Sequence, residues 1–457
     1  MVNSMTEGKP LKLILKFLFP IFISSVVQQL YSMVDTVVVG RTLGELAFGG
    51  VGATGSLSFL IFGFVQGLTS GFAIVTSQFF GKNDESGVKR SVAAAFVLCV
   101  ALTAILTAVS CVCAMPLLRL MDTPDSIIGY AYDYIITLFI GMFATVFYNI
   151  LASILRAVGD SRTPLLFLII TSVLNVGLDF LFILVFKMGV AGAGWATVVS
   201  QVISGIACLI YMLIKYPMFR ISAKDFKGIG RVAGMELWVG IPMALQCSIT
   251  AIGIMAQQTA INGFGDVAVA AYSAAVRIDG FVNPLFSALG TAMATYAGQN
   301  YGAGRYDRIR QGVRAGLLIA LICSAVGLAF VLAFNGLLLK LFIKSPTDEM
   351  LYYSKTYIVF QAAFYFICGT VNLYRSTLQG MGCSALASIA GVLEAAMRFI
   401  AALLFVKWWG YLGVCASTPS AWLAATIYLV IAYYVIIYRR MRTKSADKTP
   451  ETHETGA

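Results

Sequence analysis

The chain has 457 residues, of which 59% are hydrophobic and 12% are charged, and its formal net charge is +11. A soluble domain averages about half apolar and a quarter charged residues, so this composition excludes a set of soluble domains. Apolar runs such as 92–118, 165–186 and 416–438 are each long enough to cross the ~30 Å hydrocarbon core of a bilayer as a helix. The chain is therefore expected to be an all-α polytopic membrane protein.

Hydrophobic runs separated by polar, glycine or proline-bearing turns predict twelve transmembrane helices. Their predicted starts lie near Leu13, Val51, Val92, Ile127, Leu165, Val190, Glu236, Val267, Gly312, Leu351, Ala385 and Gly410.

Two short motifs recur at the same interval along the chain. The segment 44–47 (GELA) returns as 265–268 (GDVA), and 78–81 (QFFG) returns as 299–302 (QNYG). Two halves of six helices insert the same way up, so we expect two lobes related by a pseudo-twofold axis along the membrane normal.

Lys and Arg residues predict the orientation of the chain. With both termini in the cytoplasm, cytoplasmic loops hold about three times as many basic residues as external ones. The basic residues are spread over alternate loops, so the charge does not favour nucleic-acid binding. The predicted location is the plasma (inner) membrane, as a multi-pass protein that is expected to be monomeric.

The predicted domains are an N-terminal lobe (1–214), an interlobe linker (215–234), a C-terminal lobe (235–440) and a disordered cytoplasmic tail (441–457). The linker is basic and partly amphipathic. It either lies on the anionic inner membrane surface or forms a solvated loop. The polar segment Met1–Pro10 lacks a cleavage site that follows a short apolar core, so no cleavable signal peptide is expected.

Enzymatic chemistry has little support in this sequence. The single histidine, His453, lies in the polar tail, and the nine cysteines fall mostly within apolar runs without a CxxC pair. Small apolar packing residues explain such cysteines better than a disulfide framework or metal site does. We therefore predict that the protein is not an enzyme and has no catalytic residues, no metal and no cofactor.

Two unpaired acids in the first half stand out, because charged side chains in the bilayer are costly and usually functional. Asp35 lies about four helical turns after Pro20, which should weaken or bend the first helix. Gln28 lies two turns before Asp35 on the same face. Burial disfavours the ionised form of an acid, so Asp35 is a candidate for binding and releasing a cation.

Asp179 is the second such acid. It shares a helix face with Asn175 at i,i+4 spacing, and Thr197 follows on the next helix. Together with Asp35 they offer carboxylate, amide and hydroxyl oxygens, which suit a proton or a small hard cation. A structural polar cluster that ties helices together by hydrogen bonds is the alternative.

The second half arranges its charges differently. Residues 392–399 (VLEAAMRF) align with 173–180 (VLNVGLDF), so Glu394 and Arg398 replace Asn175 and Asp179. At i,i+4 spacing these two can neutralise each other. Arg277 and Asp279 do not share a helix face, and Arg375 has no evident partner in sequence. We expect these charges to be structural or to act in gating.

Taken together, these motifs resemble the multidrug and toxic compound extrusion (MATE) family over nearly the whole chain. The resemblance rests on two repeats of six spans, Pro20 with Gln28 and the segment 34–36 (VDT), the two Gln-x-x-Gly ends, and the spacing of Asn175, Asp179 and Thr197.

The resemblance implies a two-lobed antiporter that expels organic cations and other amphipathic compounds against a proton or sodium gradient. It places a cation site in the first lobe on Asp35, Asn175, Asp179 and Thr197, with Tyr134 and Gln28 nearby. Some branches of the family instead use an acid on the seventh helix. This chain has Gln257 and Gln258 there, and Glu236 only at the cytoplasmic end.

The leading hypothesis is a cation-coupled antiporter for a small organic substrate. Loading of the acids would change their hydrogen bonds, and Pro20 would let the first helix bend. The alternative is a lipid-linked oligosaccharide flippase of the same broad superfamily, which would favour a cationic cavity for pyrophosphate. An integral membrane enzyme is disfavoured by the lack of an intramembrane histidine.

Overall fold

The computed structural model describes residues 4–342 and 347–446, and within these ranges the backbone is helical apart from turns. Twelve helical segments follow one another along the chain: α1 (Pro10–Leu43), α2 (Glu45–Ala53 and Gly55–Gly81), α3 (Glu85–Leu120), α4 (Asp125–Ile140 and Met142–Ala157), α5 (Arg162–Val185), α6 (Val190–Lys215), α7 (Gly230–Asn262), α8 (Asp266–Gly302), α9 (Tyr306–Phe342), α10 (Asp348–Ala363 and Tyr365–Gly380), α11 (Ser384–Trp409) and α12 (Tyr411–Ala446).

Among the described residues, nine of these segments are long and apolar enough to cross a membrane alone, and the bent pairs α4 and α10 bring the number to 11. The twelfth, α8, is 37 residues long but carries Arg277, Asp279 and Asn283 near its middle. The prediction of twelve helices is confirmed. Several helices begin before their predicted starts, for example at Glu85 rather than Val92, because their first turns are polar and hydropathy does not detect them.

The two halves repeat each other's irregularities. The bend in α4 is 51° and the bend in α10 is 49°. α5 and α11 both contain a π-helical turn near their C-terminal ends, at Leu181–Val185 and Ala401–Phe405. Gly44 and Gly265 have φ values of 92° and 86°, a region that favours glycine because it lacks a Cβ. This matching supports the duplication inferred from the motifs.

Each lobe has its own hydrophobic cluster. The first-lobe cluster includes Phe72, Phe139 and Leu151, and the second-lobe cluster includes Phe286 and Tyr365. In a bilayer such cores are held by close packing rather than by exclusion of water, which fits the many small residues on the facing helices.

Helix α1 is shared between the two lobes. Before and next to Pro20, the side chains of Ile14, Phe17 and Ile21 pack into the second-lobe cluster. Further along, Val38 and Val39 pack against α2, α5 and α6 of the first lobe. The predicted first lobe, 1–214, thus contains a segment that is anchored in the other lobe. α1 runs unbroken through Pro20, and the predicted bend stays a prediction.

The interlobe linker is more ordered than either sequence alternative suggested. It forms two 3-10 turns, Pro217–Phe219 and Ala223–Phe226. Phe219 is buried in the first-lobe cluster, whereas Phe226 is exposed. The linker therefore packs on the first lobe. α12 continues to Ala446, beyond the predicted start of the tail at 441, and the rest of the tail lies outside the described residues.

Candidate functional site

The predicted acids of the first lobe come together between α1 and α5. Asp35 is 5% exposed and Asp179 is fully buried. Their carboxylates are close enough to interact directly, yet no hydrogen bond of normal geometry joins them. Two carboxylates this close are not both stable as anions without a proton or a cation between them.

Hydrogen-bonding side chains surround the acids, and one of them donates to Asp35 directly. Tyr134 on α4 donates a hydrogen bond to Oδ2 of Asp35 over 3.2 Å. Asn175 donates through Nδ2 to the Thr197 hydroxyl over 3.3 Å. The Thr197 hydroxyl is also 2.9 Å from the hydroxyl of Tyr31. Four helices thus contribute to one small polar centre within an otherwise apolar lobe.

Several oxygen atoms at this centre have no donor. Among the described residues, Oδ1 of Asp35, both carboxylate oxygens of Asp179 and Oδ1 of Asn175 are buried without a hydrogen-bond partner. Buried polar groups are normally satisfied, and leaving them unpaired is costly. A proton, or a small cation that prefers oxygen ligands, is the kind of ligand that such unpaired acceptors would bind.

The structure places the remaining sequence candidates as follows. Tyr134 contacts Asp35, as the resemblance implied. Gln28 is exposed on α1, and within the part of the chain that the structure describes no hydrogen bond joins it to the acids. Tyr31 also belongs to this polar centre, although it was not among the residues predicted from the sequence. Its position four residues before Asp35 puts it on the same helix face, which was the available signal.

The charges of the second lobe form a different network. Glu394 forms an ion pair with Arg375 of α10, whereas the closest approach of Arg398 to Glu394 is 4.0 Å. The predicted pairing of Arg398 with Glu394 is present only as a contact at the limit of an ion pair, and Arg375 is the closer partner of Glu394. Arg375, which had no evident partner in sequence, reaches Glu394 from a neighbouring helix.

Among the residues described, Asp279 is buried but forms no ion pair with these arginines, and the exposed Arg277 does not pair with it. The Tyr365 hydroxyl donates to Oδ1 of Asp279 over 2.7 Å, and Asn283 donates to its other oxygen. Both oxygens of Asp279 are therefore occupied, in contrast to those of Asp179.

Gln257, which occupies the position equivalent to Asp35, bonds to α12. It donates to the Val414 carbonyl over 3.4 Å and accepts from the Thr418 hydroxyl over 2.9 Å. These contacts satisfy its amide within the second lobe. The first lobe keeps free acceptors at the matching place.

The ends of α2 and α8 form a reciprocal contact between the lobes, which we call the inner gate. It consists of Gln78, Gly81, Gln299, Gly302 and the backbone at Ala157 and Gly380. Gln78 donates through Nε2 to the Gly380 carbonyl over 2.8 Å. Gln299 donates to the Ala157 carbonyl over 2.8 Å. Each glutamine thus bonds to the last turn of α10 or α4 in the opposite lobe.

The two glycines let the helices cross at the inner gate. A Cβ on Gly81 would lie 1.9 Å from the carbonyl oxygen of Gln299, and a Cβ on Gly302 would lie 1.9 Å from that of Gln78. The backbone of Met5 adds a further contact, since its N–H donates to Oε1 of Gln299 over 2.8 Å. The two copies of the Gln-x-x-Gly motif, one in each lobe, therefore form a single symmetric contact between the lobes.

Comparison with known proteins agrees with this architecture. The MatE family model matches residues 20–181 and again 242–404. The chain is 31% identical over 410 residues to "Probable multidrug resistance protein YpnP" of Bacillus subtilis (strain 168), covering 90% of this chain and 91% of that one. It is 26% identical over 436 residues to "Probable multidrug resistance protein YoeA" of the same organism, with 93% of each covered.

The fold also matches a solved structure described as the outward-facing conformation of a multidrug resistance MATE family transporter. The TM-score is 0.89 at 23% identity, covering 95% of this chain and 98% of that one. The double match of the family model coincides with the two lobes, and the relatives are transporters rather than enzymes. The chain belongs to the multidrug and toxic compound extrusion (MATE) family.

Proposed function

We propose that this protein is a cation-coupled antiporter, driven by protons or sodium ions, that exports organic cations, drugs or amphipathic metabolites. The observation that carries the proposal is the set of unpaired buried oxygens on Asp35, Asp179 and Asn175. A purely structural cluster would satisfy these acceptors with neighbouring donors. An ion-coupled site has to leave them available to its ion.

Alternating access follows from the two anchors of α1. Its first half is packed in the second lobe and its second half in the first lobe. Loading of Asp35 changes the hydrogen bond from Tyr134 and removes repulsion from Asp179. Pro20 lacks an N–H and weakens the helix near the end of the second-lobe anchor, so this change can alter how the lobes meet.

The inner gate is the second element of the proposed transport cycle, after the movement of α1. In the present state the contacts of Gln78 and Gln299 close the lobes at the ends that the basic loops place in the cytoplasm. Substrate entry from the cytoplasm requires both contacts to open. We propose that the protein works as a monomer in the plasma membrane, with both termini in the cytoplasm and no cofactor other than the coupling ion.

Dye export from inverted membrane vesicles tests the proposal. Imposed pH and sodium gradients are compared for the wild type, Asp35→Asn and the control Asp133→Asn, which alters an exposed carboxylate on α4. We expect export in the wild type and the control under one of the two gradients, and none in Asp35→Asn. Undiminished export by Asp35→Asn would refute the mechanism.

A further inference from the structure

The second lobe contains a buried cluster with more cationic groups than acidic ones. Arg375 and Arg398 share a single carboxylate, that of Glu394. Asp279 is another buried acid of this lobe, but its oxygens accept from Tyr365 and Asn283, and no ion pair joins it to either arginine among the described residues. One guanidinium of the pair therefore lacks a full counter-ion.

The hydrogen bonds of the cluster also show that the two arginines have too few acceptors. Nε of Arg375 and both Nε and Nη1 of Arg398 are buried without an acceptor. The side chain of Arg398 is only 5% exposed. An unpaired charge at such depth is costly, and one arginine would suffice if the role were only to neutralise Glu394.

The cluster is also near the surface where the lobes meet. Arg375 is partly exposed and lies within electrostatic range of Cys247 on α7. The Cβ of Cys247 in turn lies 3.8 Å from where a Cβ on Gly63 of α2 would be. The cluster therefore lies on the side of the second lobe that faces the first lobe.

From these observations we propose that Arg375 and Arg398 form a binding site for an oxyanion, a carboxylate or phosphate carried by an amphipathic substrate. The planar fork of a guanidinium matches both groups and binds them through paired hydrogen bonds. Glu394 holds the two arginines in place and competes with the incoming anion. The claim that the ligand is a transported substrate rests on the proposed antiport function.

The site is tested by binding to the purified protein in lipid nanodiscs, which needs no transport. Rhodamine 110 carries a free carboxyl group, and rhodamine 123 is its methyl ester. We expect the wild type to bind rhodamine 110 more tightly, as measured by fluorescence polarisation. Arg398→Gln should weaken binding of rhodamine 110 about tenfold, the loss expected for a charge-assisted hydrogen bond, and should change rhodamine 123 binding less than about twofold.

Two further variants separate a binding role from a structural one. Glu394→Gln removes the competing carboxylate and should strengthen rhodamine 110 binding, whereas a merely structural ion pair predicts no gain. Arg277→Gln removes an exposed arginine of the same lobe and should leave the preference between the dyes unchanged. Equal losses in Arg277→Gln and Arg398→Gln would overturn the site, as would a wild type that prefers the ester or binds neither dye.

Competition binding distinguishes an amphipathic anion from a free inorganic anion as the ligand. Dodecyl phosphate should displace rhodamine 110, and inorganic phosphate and chloride should not at the same concentration. Displacement by the inorganic ions alone would overturn the amphipathic ligand. The outcome is separable from the antiport proposal: loss of export in Asp35→Asn with no effect of Arg398→Gln on either dye would leave the antiporter and remove this site.

Discussion

The two lobes share one scaffold and differ in the charges placed inside it. Both have the same bend in their fourth helix and the same π-helical turn in their fifth. At the equivalent place the first lobe has Asn175 and Asp179, and the second has Glu394 and Arg398. At these positions the first lobe has buried acceptors without donors, and the second has buried donors without acceptors. Duplication fixed the architecture, and substitution of a few polar positions gave the lobes opposite chemistry.

The inner gate shows where symmetry was retained. Gln78 and Gln299 make corresponding bonds across the lobe boundary, and Gly81 and Gly302 allow the same close approach. Closure depends on both halves meeting in the same way, so symmetric contacts suit it. The proposed ion site lies in one lobe, and this is where the repeats differ.

The largest expected effect comes from removing the charge at the equivalent positions of the two lobes. Asp179→Asn should abolish cation-driven export of rhodamine 123, because it removes one of the two carboxylates of the proposed ion site. Arg398→Gln should leave the export of this ester within about twofold of wild type, because the ester lacks an oxyanion. Both are measured in inverted vesicles. Equal losses in the two variants would contradict the division between the lobes.

The symmetry of the inner gate gives the next prediction. Gly81→Ala and Gly302→Ala should each reduce export about tenfold or more, because the new methyl group meets backbone of the other lobe and overpacking of this kind costs ~1–3 kcal/mol. Gly234→Ala, where a Cβ meets open space, is the matched control. A normal rate in either gate variant would show that the helices need not cross this closely.

Stability should change with opposite sign in the two lobes. Arg375→Gln leaves Glu394 with only the distant Arg398, and breaking such a buried pair costs ~3–5 kcal/mol. Asp179→Asn removes repulsion from Asp35 and lets an amide donate to it, a gain of ~1 kcal/mol. Thermal unfolding in detergent measures both. A higher Tm for Arg375→Gln would contradict the proposed network.

A smaller loss of stability than that of Arg375→Gln is expected at a contact that only the first lobe makes. Asp160, in the turn between α4 and α5, accepts hydrogen bonds from Thr163, Lys215 and Tyr216. Burial opposes its ionisation, but these bonds outweigh it and lower the pKa of Asp160.

The folded-state pKa of Asp160 is therefore below its unfolded value, so its stabilising effect is present above the unfolded pKa and is lost as pH falls through the folded one. Asp160→Asn should reduce stability by ~1–3 kcal/mol at neutral pH, with the difference from wild type shrinking in acid. Asp307→Asn, at an exposed site, should change the Tm little. A Tm difference that grows on acidification would contradict this assignment.

Much of the site could be predicted from the sequence because its members obey local rules. Asp35 is conspicuous in an apolar run, and Asn175 and Asp179 share a face by helix periodicity. The partner of Glu394 was missed because Arg375 lies on another helix, where periodicity gives no information. The inner gate was visible only as a repeated motif, since its bonds depend on how α2 and α8 cross. The contact of Met5 with Gln299 left no local signal.

The central claim is that the coupling ion binds in the first lobe alone. Its most direct test is substrate-induced ion release from the purified protein, followed as protons in weak buffer and as radioactive sodium. We compare the wild type, Asp35→Asn/Asp179→Asn and Asp279→Asn. The account predicts release of one of the two ions by the wild type and Asp279→Asn, and none by the double variant. Release that persists in the double variant and disappears in Asp279→Asn would place coupling in the second lobe.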